Sequence, residues 1–190
     1  MPADTRTALL DSAIRLLDAG GVEAVTLREV GLGAGVSHNA PYKHFASKEA
    51  LLAAIAAREL TDRAAILAGL SHSQPTPVAL LREVLHTYIA WALTHPARFK
   101  LVFGAWTIDS PELAAAANAA QDALIDVVAR CQASDDLPPG DPIRLAALLR
   151  ALAHGAADLA AAGHLAADGK GNADATDLVD DLLAYLRPAS

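Results

Sequence analysis

The residues of this chain with the most definite chemistry stand close together, between Thr26 and Lys48. Asn39 carries an amide that can pair bidentately with adenine, and the methyl of Ala40 can meet the methyl of thymine. Lys43 can reach a guanine edge or a phosphate, and Arg28 has the same two options. His38 stands beside Asn39, where it too would face base edges. Tyr42, His44 and Lys48 suit phosphate oxygens, which set register without reading sequence. Thr26, Ser37 and Ser47 can cap helices, and the free N–H groups at a helix start also attract anions. The alternative for Arg28, His38, Asn39 and Lys43 is a solvated helix face. For Tyr42 it is plain packing, and for the three hydroxyl residues capping alone.

Other chemistry is thin. Cys131 is the single cysteine, which excludes an internal disulfide and a cysteine-based zinc site. His154 and Asp158 have the i, i+4 spacing of a helical metal pair, but two ligands are a weak signal, and no metal is expected. No nucleophile motif, metal cluster or Gly-rich phosphate loop supports an enzyme, and no cofactor is implied. The aromatics Tyr88, Trp91, Phe99, Phe103 and Trp106 crowd one stretch. With scattered polar groups they suggest a small-molecule pocket, with His86, Trp91, Phe103, Trp106 and His154 as its candidate lining. Ordinary core filling is the other reading.

Helices must position these groups. Ala and Leu dominate the apolar residues, and strand formers are sparse, so the expected fold is all-α, with about nine helices. Leu10, Ala13, Ile14 and Leu17 form one buried stripe in a first helix over 5–19, which Gly20 and Gly21 end. Thr26 and Glu29 have capping-box spacing for a second helix that runs to about Ala34. Gly35 permits a left-handed turn, Val36 can plug the core, and Ser37 can cap a third helix over 37–44. That is a helix-turn-helix. Longer helices are expected over 47–69, 77–94, 96–106, 111–132, 141–163 and 174–187, with Pro starting several of them. Residues 71–77 and 133–142 read as loops.

The net charge of −7 is unevenly spread. Five basic and five acidic residues balance over residues 1–48, so the remaining 142 residues carry all of it. Within 26–48 three basic residues face Glu29 alone, a local charge of +2. A small positive patch on an acidic body suits contact with a few phosphates and discourages loose adhesion to DNA. No apolar run reaches the length of about 18 residues that a membrane span needs. The first residues do not look like a signal peptide, so a cytoplasmic protein is expected.

The run Gly35-Val36-Ser37, then Tyr42-x-His44-Phe45, then Ser47-Lys48-Glu49-x-Leu51, resembles the DNA-binding head of TetR/AcrR-family transcriptional regulators. The stretch Trp91-x-x-x-His95-Pro96 with Phe99 and Phe103 is similar to the WHG-like C-terminal ligand domain of one subgroup. The resemblance implies a DNA-binding domain over 1–46 and a ligand-binding and dimerisation domain over 47–190. It implies a homodimer on a palindromic double-stranded operator, paired through the last two helices, with Leu149, Leu152, Ala156, Leu178, Leu182 and Tyr185 at the interface. A repressor released by a small apolar or amphipathic effector is the implied function. Pro41 departs from the family pattern, because it removes a backbone donor and disfavours helical geometry before it, so a late start or a distorted first turn is expected for the third helix. Gly31 and Gly33 weaken the second helix by about 1 kcal/mol each, so a loosely ordered head is expected.

Overall fold

A computed structural model describes residues 4–72 and 74–187. One residue of the expected 71–77 loop, residue 73, lies outside that range. Nine helices and no strand occur among the described residues, so the chain is all-α. They are α1 (Thr5–Ala24), α2 (Leu27–Gly33), α3 (Ala40–His44), α4 (Lys48–Leu70), α5 (Pro77–Thr94), α6 (Pro96–Val102), α7 (Pro111–Ala133), α8 (Pro142–Ala161) and α9 (Ala175–Tyr185).

The helix starts follow local chemistry. Thr26 Oγ1 accepts the Glu29 N–H at 3.2 Å, and Ser47 Oγ accepts the Ala50 N–H at 3.1 Å. Asp141 accepts the Ile143 N–H before Pro142, and Asp174 forms a full capping box with Asp177 at the start of α9. The glycine pair does break α1. Gly20 and Gly21 leave helical geometry, and Gly21 takes a φ of 68° that favours glycine. Gly35, at φ 67°, makes the turn after α2.

Several helices are shorter than the apolar pattern suggests, and two of them have a clear local cause. The third starts at Ala40 rather than Ser37. Pro41 has no N–H to bond the Ser37 carbonyl, so the Ala40 N–H takes that carbonyl instead, in a tighter turn at 2.9 Å. Ser37 therefore begins a turn and is not the cap of α3. The sixth stops at Val102, with Phe103 as its C-cap. There the Gly104 N–H bonds the Leu101 carbonyl, three residues back, and the helical ladder closes.

The chain forms two compact units, one of residues up to Asp62 with His95–Asn118, the other of Arg63–Thr94 with residues from Ala119 on. In the first, Leu10, Ala13, Ile14 and Leu17 of α1 are buried, with Val25, Val30, Phe45, Leu51, Ile55 and Leu101. Val36 and Trp106 pack against that cluster. In the second, α5, α8 and α9 pack on one another. Leu81, Leu85 and Ile89 meet a seam of small residues on α8, including Ala146, Ala153 and Ala157, closed by Val179 and Leu183.

The glycines of α2 have a packing role. A Cβ on Gly31 would stand 2.9 Å from Pro41 Cγ, and one on Gly33 would stand 2.5 Å from Ser12 Oγ. Their small size lets α1 and α3 close on α2.

Candidate nucleic-acid interface

The helix-turn-helix presents one continuous run of exposed polar groups. His38 and Asn39 sit in the turn before α3, and both are exposed. Ala40 is half-buried at the first position of α3. Pro41 turns inward and is buried, so Tyr42, Lys43 and His44 are left outward. The Tyr42 ring is 53% exposed, too open to be a core residue, and its centroid lies 6.0 Å from that of His38. Phe45, one position on, is buried, with the Arg6 guanidinium 5.5 Å from its ring centroid. The short α3 is thus anchored by Pro41 and Phe45, and its polar side chains point away from the anchor.

Neighbouring helix starts flank this run. Thr26 and Arg28 are exposed at the start of α2, and Lys48 is half-buried at the start of α4. Thr26 and Ser47 cap the first turns of α2 and α4. Glu49 beside Lys48 is held below the usual carboxylate range, first by its backbone N–H and then by the Ser47 hydroxyl. Ser37 is exposed in the turn between α2 and α3. The ten candidate contacts, Thr26, Arg28, Ser37, His38, Asn39, Ala40, Tyr42, Lys43, His44 and Lys48, all belong to the first unit, on three successive helix starts and the turn between them.

The candidate pocket residues do not all share a unit. His86, Trp91 and His154 lie in the second unit, Phe103 and Trp106 in the first. In the second, the Tyr88 hydroxyl lies 3.0 Å from His154 Nδ1, and its ring is 6.3 Å from that of Trp91. The Arg63 guanidinium lies over Trp91 at 5.2 Å. Burial pushes the Tyr88 phenol above its ordinary range, so it stays a neutral hydroxyl. Tyr88 and Arg63, which the sequence did not single out as candidate lining, thus stand beside Trp91 and His154. The i, i+3 spacing of Tyr88 and Trp91 was an available signal, whereas the placement of Arg63 was not. His86 Nε2 is 3.1 Å from Asp180 Oδ1, which also pairs with Arg82 at 3.0 Å, so this histidine ties α5 to α9. In the first unit, Phe103 packs against Phe99 in a tilted pair with ring centroids 5.3 Å apart. Trp106 lines a cleft of about 280 Å³ with Val22, Leu52, Leu101 and Ile108.

The candidate interface residues also divide. Leu149 and Ala156 are 1% and 2% exposed in the single chain, so they are core of their own subunit and cannot meet a second copy. Leu152, Leu178 and Leu182 are half-buried, and Tyr185 is 83% exposed. The open apolar face of α8 is offset by about one position from the expected one, running through Leu148 and Leu159 at 65% and 48% exposure. Burial also pushes the Cys131 thiol up to about 11, which leaves it an unreactive core group.

Two family models match the chain. Residues 9–55 match the description "Bacterial regulatory proteins, tetR family", and residues 81–186 match "Tetracyclin repressor-like, C-terminal domain". Among solved structures, a protein with unknown function from Rhodococcus sp. RHA1 is 30% identical, with a TM-score of 0.83 over 98% of this chain and 97% of that one. A TetR-family transcriptional regulator from Agrobacterium tumefaciens shares the fold at 21% identity, with a TM-score of 0.72 over 99% of this chain and 100% of that one. So does AibR, solved with isovaleryl coenzyme A and operator DNA, at 18% identity and a TM-score of 0.66 over 98% and 100%. An exposed helix-turn-helix on an all-α chain, matched in both of its parts, places this protein in the TetR family of DNA-binding transcriptional regulators.

Proposed function

We propose that this regulator is a homodimeric repressor that leaves a palindromic operator when a small apolar or amphipathic effector binds. The supporting observation is the outward run His38, Asn39, Tyr42 and Lys43, held against the core by Pro41 and Phe45. In this reading His38, Asn39, Ala40 and Lys43 face base edges in the major groove. Thr26, Arg28, Ser37, Tyr42, His44 and Lys48 hold the phosphates on either side. The head over 1–46 does the reading, and the chain from 47 on supplies effector binding and pairing. Pairing through α8 and α9 sets two heads at the spacing of two half-sites. Leu148, Leu152, Leu159, Leu178, Leu182 and Tyr185 form that interface, with Leu149 and Ala156 supporting it from behind.

The effector site is proposed around Trp91, Tyr88 and His154, with His86 nearby on α5. An effector that favours a head spacing unsuited to the operator, with a coupling of about 1 to 3 kcal/mol, would loosen binding about 5- to 150-fold. Because AibR was solved with isovaleryl coenzyme A, acyl thioesters are the first compounds to try. The protein works in the cytoplasm, on chromosomal DNA, and carries out no reaction of its own.

Selection of bound sequences from a random DNA pool tests the reading. It should return an inverted repeat, bound with a steep salt dependence. A pool that stays random would sink it. The repressor part fails if a reporter behind that operator is more active with the protein present than without it.

A further inference from the structure

Arg98 lies on α6, far along the chain from the helix-turn-helix, yet its guanidinium joins two other helices of the first unit, α1 and α4. Nε and Nη2 donate to the Asp18 carboxylate, with Nε 2.9 Å from Oδ1, and Nη1 donates to Glu59 Oε1 at 3.1 Å. Asp18 stands on α1 just before the Gly20–Gly21 break that redirects the chain into α2. Glu59 stands on α4, the helix whose first residue is Lys48. The Glu59 side chain is only 5% exposed and that of Arg98 20%, so these charges are far less screened than a surface pair. Asp18, more than any other group, raises the guanidinium pKa further, so the cation persists. Leu101, one turn along α6, is in the same buried cluster as Leu17 and Ile55. A rigid planar fork holds two acceptors at a fixed separation, which a flexible ammonium does not. A second contact between these helices, the ion pair of Arg58 on α4 with Asp11 on α1, is more exposed and involves one carboxylate.

We propose that Arg98 is a positioning residue for operator recognition: by holding Asp18 and Glu59 together it fixes α1 against α4. The separation between the base-reading segment 38–43 and the phosphate contact at Lys48 follows from that angle. This rests on reading those residues as DNA contacts. Arg98 itself touches no DNA, so its loss should degrade the fit to the right sequence and leave the charge contribution alone.

The test uses the full-length protein and its selected operator. Arg98→Met strips the buried Glu59 carboxylate of this cation and can unfold the protein. Arg98→Met/Glu59→Met removes both charges together, which is often neutral for stability. Asp18→Asn, at an exposed position, keeps the fold and breaks the forked contact. The double variant and Asp18→Asn should melt near the wild type yet bind the operator roughly 5- to 100-fold more weakly, the range of one poorly seated base contact. Their affinity for random DNA and their salt slope should not move. Arg98→Lys should fall between them and the wild type. Wild-type operator affinity in both stable variants would overturn the proposal and leave DNA binding intact. A salt slope smaller by about one in the double variant would overturn it too, by making Arg98 a phosphate contact. If the wild type itself selects no sequence, the DNA-contact reading falls and takes this role with it.

Discussion

At Asn39 and Lys48 the expected effects differ in kind. Asn39→Ala should cost about 1 to 3 kcal/mol of discrimination at one base position and relax preference there, measured on operators altered one base at a time. Lys48→Met should weaken every sequence alike and reduce the salt slope by about one. If Asn39→Ala instead weakened all sequences evenly, Asn39 would be a phosphate contact. Gly31 carries a different prediction. A helical Gly→Ala change usually gains about 1 kcal/mol. Here the new Cβ would stand 2.9 Å from Pro41 Cγ, so Gly31→Ala should push α3 outward and lower the melting temperature. A rise in melting temperature would show that the proline ring yields freely. The sequence exposed Gly31 and Pro41 as two separate irregularities. That each explains the other depends on a contact ten residues apart along the chain, which no local pattern encodes.

Helix by helix, the starts were legible and some ends were not. Thr26, Ser47 and the prolines at residues 77, 96, 111 and 142 act within a turn of themselves, so their signals survive folding unchanged. The end of α6 depends on which backbone groups find partners, which no pattern of apolar residues shows, whereas the late start of α3 was legible in Pro41. The cap of α9 yields a test. Asp174 accepts from the Thr176 and Asp177 N–H groups, and its pKa is lowered, first by the Thr176 side chain and then by those N–H groups. A folded pKa below the unfolded one means the stabilisation is present above the unfolded value of about 3.9 and fades as pH falls through the folded one. Asp174→Ala should therefore cost about 1 kcal/mol at neutral pH. The melting curves of variant and wild type should converge in acid. A gap that stays constant down to acid pH would mean the ionised carboxylate is not the cap.

For the whole molecule, the expected partner is a second copy. Leu148 is 65% exposed in the single chain and Leu159 is 48% exposed, so neither contributes much to the subunit's own core. Leu148→Glu combined with Leu159→Glu should leave the helical content intact. It should shift the protein to monomer in sedimentation equilibrium and weaken the operator by the loss of the second half-site. A dimer that survives both changes would place the interface elsewhere. Leu149→Glu should behave differently, because it puts a charge into the subunit core and should unfold the chain before it separates copies.

The sequence by itself determined the all-α class, the number of helices and the helix-turn-helix, because caps, turn glycines and apolar periods act over a few residues. It also pointed to the polar run from His38 to His44 as candidate DNA contacts, through the residue types that stand there. Only the tertiary structure decided which side of α8 stays open. An apolar residue reads the same whether it faces its own core or a second subunit, and Leu148 and Leu149 differ only by a rotation of one position. Tertiary structure likewise brought Arg98 to Asp18 and Glu59, because charge pairs 80 and 39 positions apart leave no periodic trace. The helix-turn-helix was thus written in local chemistry, and what holds it at its angle depends on long-range packing.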